Sequence, residues 1–201
     1  MARRGNSCND AALVPKSPSN CRSMGRLVVK RLHLLRHAKS SMRERAEDHE
    51  RPLNRRGRDT ARRVGKHLPA VAGPLDLVLC SSAVRTRETL DLVVAEFSPR
   101  PKTEIEDELY LANRDRLMDR LRRLDERAIN VLLIGHNPGL HELAIALADK
   151  SSPSLNPLAA GKFPTAALVS FAVPSLWSVL AYSQSELIGY VTPASLAGEE
   201  D

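Results

Sequence analysis

Leu32-His33-Leu34-Leu35-Arg36-His37-Ala38-Lys39-Ser40-Ser41 is an apolar run that stops abruptly at a basic pair. A second stretch has the same shape: Val131-Leu132-Leu133-Ile134-Gly135-His136-Asn137-Pro138-Gly139-Leu140. Short apolar runs with branched residues, bounded by Gly, Pro, Asn and Ser, read as buried strands of a parallel sheet. His37 and His136 therefore each stand where a strand ends. In open α/β sheets, ligands bind outside the carboxyl ends of the strands. Two histidines, Arg36 and a helix start converge on one crevice, which suits an anion and a nucleophile.

Working outward, the first strand covers Arg26–Arg36, and Ser40–Arg51 is a polar, charged loop beyond it. Leu53, Gly57, Ala61, Val64 and Leu68 recur at helical spacing. Arg55, Arg56, Arg58, Arg62, Arg63 and Lys66 cover the other faces of that helix as a solvated surface. Pro69 and Gly73-Pro74 are expected to end it. Leu75–Cys80 reads as the second strand, and Ala83, Leu90, Val94 and Phe97 as the next helix, closed by Ser98-Pro99. Lys102–Glu106 reads as a short strand near an edge. Leu117, Leu121 and Leu124 mark a helix starting near Asn113, before a fourth strand at Asn130–Ile134. Asn137-Pro138 has the form of an N-cap and first helical residue. Lys150–Gly161 reads as a loop, and Ala166–Val173 with Trp177–Tyr182 as a hairpin at one side of the sheet. Strand–helix alternation predicts an α/β three-layer sandwich, with a mostly parallel central sheet and helices on both faces.

The chain has 201 residues and few aromatics, which fits one domain with its own core. No run approaches the ~18 apolar residues of a membrane span. Cys8, Cys21 and Cys80 are an odd, sparse set, suited to a reducing, cytoplasmic setting without a disulfide framework. The formal net charge is +6, and Met1–Arg31 alone carries seven basic residues against one acid. The body from Leu32 onward is thus formally neutral. With no basic–aromatic interleaving there, nucleic-acid and membrane partners are not expected. Residues 1–25 read as a disordered tail, and residues 26–197 as the domain. Met24 offers an alternative start, and the tail's Arg and Ser content faintly resembles a transit peptide.

Arg36-His37-Ala38 after an apolar strand resembles the Arg-His-Gly/Ala signature of the histidine phosphatase superfamily, whose fold is phosphoglycerate-mutase-like. Leu34-Leu35-Arg36-His37-Ala38-Lys39-Ser40-Ser41 is most similar to its SixA-type phosphohistidine phosphatases. Further segments follow in the family's order: Arg51-Pro52-Leu53 through Gly57, Cys80 through Arg85 to Thr89, and Gly135-His136-Asn137-Pro138-Gly139-Leu140. Lys162–Thr165 and Val191–Leu196 resemble that branch's closing strands. The resemblance covers roughly Leu32 to Leu196 and implies His37 as nucleophile, forming a covalent phosphohistidine intermediate. It also implies that His136 contacts phosphoryl oxygens as an imidazolium. In larger relatives a Glu after the third strand protonates the leaving group, and Glu108 stands in about that place, with Asp48 as a second candidate.

The chemistry of the residues agrees. A neutral imidazole is a good nucleophile toward phosphorus, and a covalent intermediate divides one hard displacement into two easier ones. Arg36, Arg51 and Arg85 are candidate phosphate ligands, because guanidinium forks meet phosphoryl oxygens bidentately. No cofactor is expected and no metal is required, since arginines and an imidazolium can supply the electrostatic work. The expected partner is a phosphoprotein or small phosphoester substrate. Phosphohistidine on a protein leads, because a small domain leaves the site open. The alternatives are a sugar phosphate or nucleotide phosphatase, a phosphoprotein-binding module without catalysis, and, weakly, a nucleic-acid-associated protein acting through the basic tail.

Overall fold

The computed structural model describes Met1 and residues 29–41, 47–152 and 155–197. The proposed tail lies almost wholly outside these residues, as does the start of the expected first strand. Six strands form one sheet: β1 (Lys30–Arg36), β2 (Leu77–Ser81), β3 (Lys102–Glu106), β4 (Asn130–Gly135), β5 (Leu168–Val173) and β6 (Glu186–Val191). Their order is β3-β2-β4-β1-β5-β6. The first four run parallel, while β5 and β6 are antiparallel to their neighbours. All residues of β2 and β4 are buried, as expected of interior parallel strands covered on both faces. β3 is the edge strand anticipated from its mixed sequence.

Two apolar layers sandwich the sheet. Leu32, Leu34, Leu79, Val131 and Leu133 face α3 (Arg114–Arg122) and α4 (Gly139–Leu147). Leu35, Val78, Cys80, Leu132 and Ile134 face α1 (Arg55–Ala72) and α2 (Val84–Val94). The period of two sends alternate residues of each strand into opposite layers. Among them, His33 is fully buried, and its ring contacts Ser170 Oγ at 2.7 Å and Asn130 Oδ1 at 3.0 Å. The Asn130 amide nitrogen donates to the carbonyls of Ala72 and Pro74, so its oxygen is an acceptor. His33 Nε2 therefore donates to Asn130, and Nδ1 accepts from Ser170.

Several local expectations are corrected. Pro69 lies inside α1, and the helix ends at Ala72, with Gly73 (φ 71°) as its C-cap. Positive φ is what glycine admits at no steric cost. The 150–161 loop contains a short helix, α5 (Leu155–Ala160). Trp177 opens a 3-10 turn rather than a strand, and the hairpin partner of β5 is β6. Side-chain bonds fix that turn. The indole of buried Trp177 donates to Ala128 O at 2.7 Å, and Glu126 accepts from the backbone amides of Trp177 and Ser178. Lys162–Thr165 is a connection, and Pro193–Ala197 is the helix α6, so of the segments expected as closing strands only Val191 is in one.

One close approach ties α1 to the loop after β1. Asn54 is its N-cap: the side-chain oxygen accepts from Gly57 N at 2.8 Å, and the Asn54 amide donates to Lys39 O at 3.0 Å. A Cβ on Gly57 would stand 2.0 Å from Lys39 O, so no other residue fits. Gly57→Ala is therefore expected to destabilise the domain by about 1–3 kcal/mol and to depress activity by displacing the residues beside His37. Arg62→Ala, on the exposed face, should do neither. Chemical denaturation and turnover of an aryl phosphate check both, and an unaltered Gly57→Ala protein would show that the loop has another way to pack.

Candidate active site

β1 and β4 are neighbours, with Arg36 in register with Gly135. His37 and His136 consequently leave the sheet side by side, with ring centroids 5.2 Å apart. The end of β2, next in the sheet, supplies Ser81, and α2 supplies Arg85. These elements bound a pocket of about 410 Å³ lined by Arg36, His37, Lys39, Ser40, Asp48, Arg51, Arg85, Leu111, His136, Asn137 and Thr165. Five of the six expected site residues thus share one cavity.

His37 is held from several directions. Its amide donates to Gly135 O at 3.1 Å, and Ala166 N donates to the carbonyls of both Arg36 and His37. Ala166 adopts φ 62°, an uncommon conformation for alanine, at this bridge to the nucleophile loop. The next amide, Ala38 N, donates to Thr89 Oγ1 at 3.0 Å. His37 Nδ1 donates to Ala38 O at 2.7 Å. That bond fixes the tautomer, leaving the Nε2 lone pair available. Burial, reinforced by the charges of Arg85, Arg36 and Arg51, lowers the His37 pKa to about 4 despite the opposing bond to Ala38.

His136 is neutral too, for a related reason. Arg85 can only donate, and its Nη2 stands 3.3 Å from His136 Nδ1, so Nδ1 accepts. Nε2 then carries the proton and donates to Ser81 Oγ at 2.8 Å. Burial first, then His37 and Arg85, lower its pKa to about 3. Burial and the neighbouring cations thus favour the neutral ring, whereas the resemblance implies an imidazolium in contact with phosphoryl oxygens. Nor does Asn137 cap the following helix: its amide nitrogen donates to Phe163 O at 2.9 Å, and α4 begins at Gly139. Leu140 N turns back to His136 O, so α4 offers the site its dipole more than free amides.

The arginines share few acceptors. Arg36 Nη1 donates to Phe163 O at 2.8 Å, and its buried Nε has no partner. The buried Arg85 donates to the backbone carbonyl of Asp48 and, at 2.9 Å, to the Asp48 carboxylate. Arg85 Nε is likewise buried without a partner. Arg51 meets the other Asp48 oxygen at 2.5 Å. The Tyr110 hydroxyl donates to Asp48 Oδ2 at 2.6 Å. The Tyr110 hydrogen bond, then Arg85 and Arg51, hold the Asp48 carboxyl below its usual range against the opposing effect of burial. Asp48 is thus an internal anion seated on the arginine cluster. Tyr110 also sets its ring edge against His136, with centroids 5.5 Å apart. Ser81 and Tyr110 are residues at the site to which sequence reasoning gave no role, and Asn137 was expected there only as an N-cap; Ser81 and Asn137 lie at strand ends that the spacing marks.

Glu108 is not brought to the pocket. Its carboxylate meets Arg123 at 2.8 Å and Arg120 at 3.7 Å. The Arg123 bond foremost holds its pKa below the ordinary value. Glu104 and Glu106, two apart on β3, bind the same Arg120. These acids serve the contact between the edge strand and α3. Among the described residues, no group of three or more His, Cys, Asp or Glu side chains could hold a metal ion. No helix of the described residues is long and apolar enough to cross a membrane.

The family model of the histidine phosphatase superfamily (branch 1) matches residues 32–110. An uncharacterized protein of Mycobacterium tuberculosis is 31% identical over 161 residues, spanning 79% of this chain and 99% of that one. The chain belongs to the histidine phosphatase superfamily. Among solved structures, a protein named as phosphohistidine phosphatase SixA from Nakamurella multipartitia superposes with TM-score 0.72 at 28% identity, over 82% of this phosphatase and 96% of that chain. Its counterpart from Agrobacterium tumefaciens gives 0.69 at 26% identity, over 82% and 98%. This chain is a phosphatase with the α/β architecture expected of it.

Two outcomes follow from the pocket's charge. The unfolded chain protonates His33, His37 and His136 near 6.5, whereas the folded chain keeps His33 and His37 neutral to about 4 and His136 to about 3. Stability is therefore full above pH 6.5 and declines as pH falls from 6.5 toward 4, by up to ~1.4 kcal/mol per pH unit for each histidine. Denaturation at pH 7.5 and 5.0 measures this, and equal stability would mean that the imidazoles charge in place. Asp48→Asn removes a carboxylate competing for the same guanidinium groups. It should tighten inhibition by inorganic phosphate by about 3- to 10-fold; weaker inhibition would show that Asp48 instead pre-arranges the arginines.

Proposed function

We propose that this phosphatase hydrolyses phosphohistidine on a protein, with His37 as nucleophile and Arg36, Arg51, Arg85 and His136 as ligands of the phosphoryl group. The His37 Nε2 lone pair attacks phosphorus, and the bond from phosphorus to the substrate imidazole breaks with its electron pair leaving on nitrogen. Solvent protonates the substrate ring on its other nitrogen, so the ring departs as neutral imidazole. Phosphorylated His37 is cationic, and the Ala38 carbonyl on Nδ1 stabilises that charge. Water then attacks phosphorus, and the bond to Nε2 breaks, regenerating neutral His37 and releasing inorganic phosphate.

The observation that carries the substrate class is that, among the described residues, no carboxyl group of the pocket is free to donate a proton. Asp48 is the carboxylate lining it and is ionised on two arginines. Glu108, the expected acid, is engaged by α3. An alkoxide leaving group needs protonation, a step to which a general acid contributes ~10²–10⁴-fold. Imidazole leaving from phosphohistidine takes its proton on the ring nitrogen remote from phosphorus, where solvent supplies it without an acid of the protein. The phosphohistidine phosphatases named among the structural neighbours have the same fold and support the same reading.

His37→Ala should abolish hydrolysis of every substrate with the fold intact, and the wild type should form an acid-labile, base-stable phosphoenzyme. Phosphohistidine peptides should exceed phosphoserine peptides in kcat/KM by at least ~10²-fold, while Glu108→Gln should change neither appreciably. Preferential hydrolysis of phosphoserine or sugar phosphates, lost in Glu108→Gln, would overturn the reading.

A further inference from the structure

A second cavity, of about 510 Å³, opens beside the catalytic pocket and shares Lys39 and Thr165 with it. Its other wall is α1, which presents Arg56 and Arg63, with Thr60 between them. Positions i, i+4 and i+7 lie along one helix face. Pro164 and Pro193 close the far side. Among the described residues, no carboxylate lines this groove.

The cations here differ from their neighbours on the same helix. Arg58 donates to Leu53 O, and Arg62 pairs with Asp59 at 3.2 Å. The side chains of Lys39, Arg56 and Arg63 make no ion pair or hydrogen bond with any described residue. Three cations without an ion pair among the described residues therefore line a concavity that continues from a pocket already holding three arginines. Like charges so gathered repel, and an anion reaching along the groove relieves them. Its walls offer no aromatic ring on which a base or sugar could stack. Long side chains on an exposed helix face suit carboxylates whose positions vary from one partner to the next.

We propose that the Lys39–Arg56–Arg63 groove is a second anion subsite, which binds acidic side chains flanking the phosphorylated residue of a protein substrate. It rests on the reading of the enzyme as a protein phosphohistidine phosphatase. The subsite confers preference among phosphoproteins without touching the reacting phosphoryl group.

Beside a sugar monophosphate and its bisphosphate, the test compares wild type with an Arg56→Gln/Arg63→Gln variant on five probes. These are phosphoramidate, a phosphohistidine peptide flanked by Asp and Glu, the same peptide with Asn and Gln, and both peptides rebuilt on phosphoserine. The wild type should prefer the acidic peptide. The variant should lose about fivefold in kcat/KM on it, the scale of two partly exposed ion pairs, and the salt dependence of that reaction should flatten. Phosphoramidate and the neutral peptide should be unaffected. Equal turnover of acidic and neutral phosphohistidine peptides overturns the subsite and leaves the proposed function standing. Hydrolysis of phosphoserine peptides alone, with the same charge preference and the same loss in the variant, upholds the subsite and overturns the phosphohistidine reading. A loss confined to sugar bisphosphates relative to monophosphates, with peptides unaffected, overturns the choice of a protein as occupant.

Discussion

Three guanidinium groups converge on one strand-end crevice, and among the described residues a single carboxylate, Asp48, offsets them. Their mutual repulsion is the constraint around which the site is built. Backbone carbonyls take part of the load: Phe163 O accepts from Arg36, and Asp48 O from Arg85. The buried Nε atoms of Arg36 and Arg85 remain without partners. Buried donors left unmade are expensive, and such groups persist where a ligand completes them. A phosphoryl group brings both the negative charge and the oxygens that the pocket lacks.

The same field decides the state of the histidines. In a crevice so positive, and so removed from water, an imidazolium is disfavoured, and both rings are neutral. For His37 this is the reactive form, and the Ala38 carbonyl selects which nitrogen holds the proton. For His136 the neutral form suits its place beside Arg85, which donates to it. A phosphate dianion would join Asp48 in offsetting the arginines, and so raise the affinity of His136 for a proton. The charge on His136 is thereby tied to occupancy of the pocket.

Much of this was legible in the sequence because strand ends are legible. Arg36, His37 and His136 follow apolar runs whose termini the turn residues mark, and Arg85 follows β2 by a few residues. The sheet's parallel half then gathers them without further information. What escaped depends on contacts that no local period encodes. Glu108 lies after the third strand, as the family's acid does, yet its partners are Arg120 and Arg123, on a helix whose packing against the edge strand is a tertiary fact. Tyr110 and Asp48 sit on 3-10 turns and loops, with no repeating pattern to announce where they point. Trp177 reads as a strand residue, but side-chain bonds to Glu126 and Ala128 make it the start of a turn.

The two halves of the sheet divide the labour. The parallel half, β2-β4-β1, brings His37, His136, Arg36 and the start of α2 with Arg85 to one edge, where parallel strands end together. The antiparallel half, β5-β6 with α6, supplies no reacting group. It provides Ala166, whose amide holds the carbonyls of Arg36 and His37, and the Pro164–Thr165 and Pro193 walls of the neighbouring groove. Changes at Pro193 and the outer face of α1 can therefore reshape what approaches His37, whereas Ala166 and Gly57, which hold the loop after β1, are constrained with β1, β4 and α2.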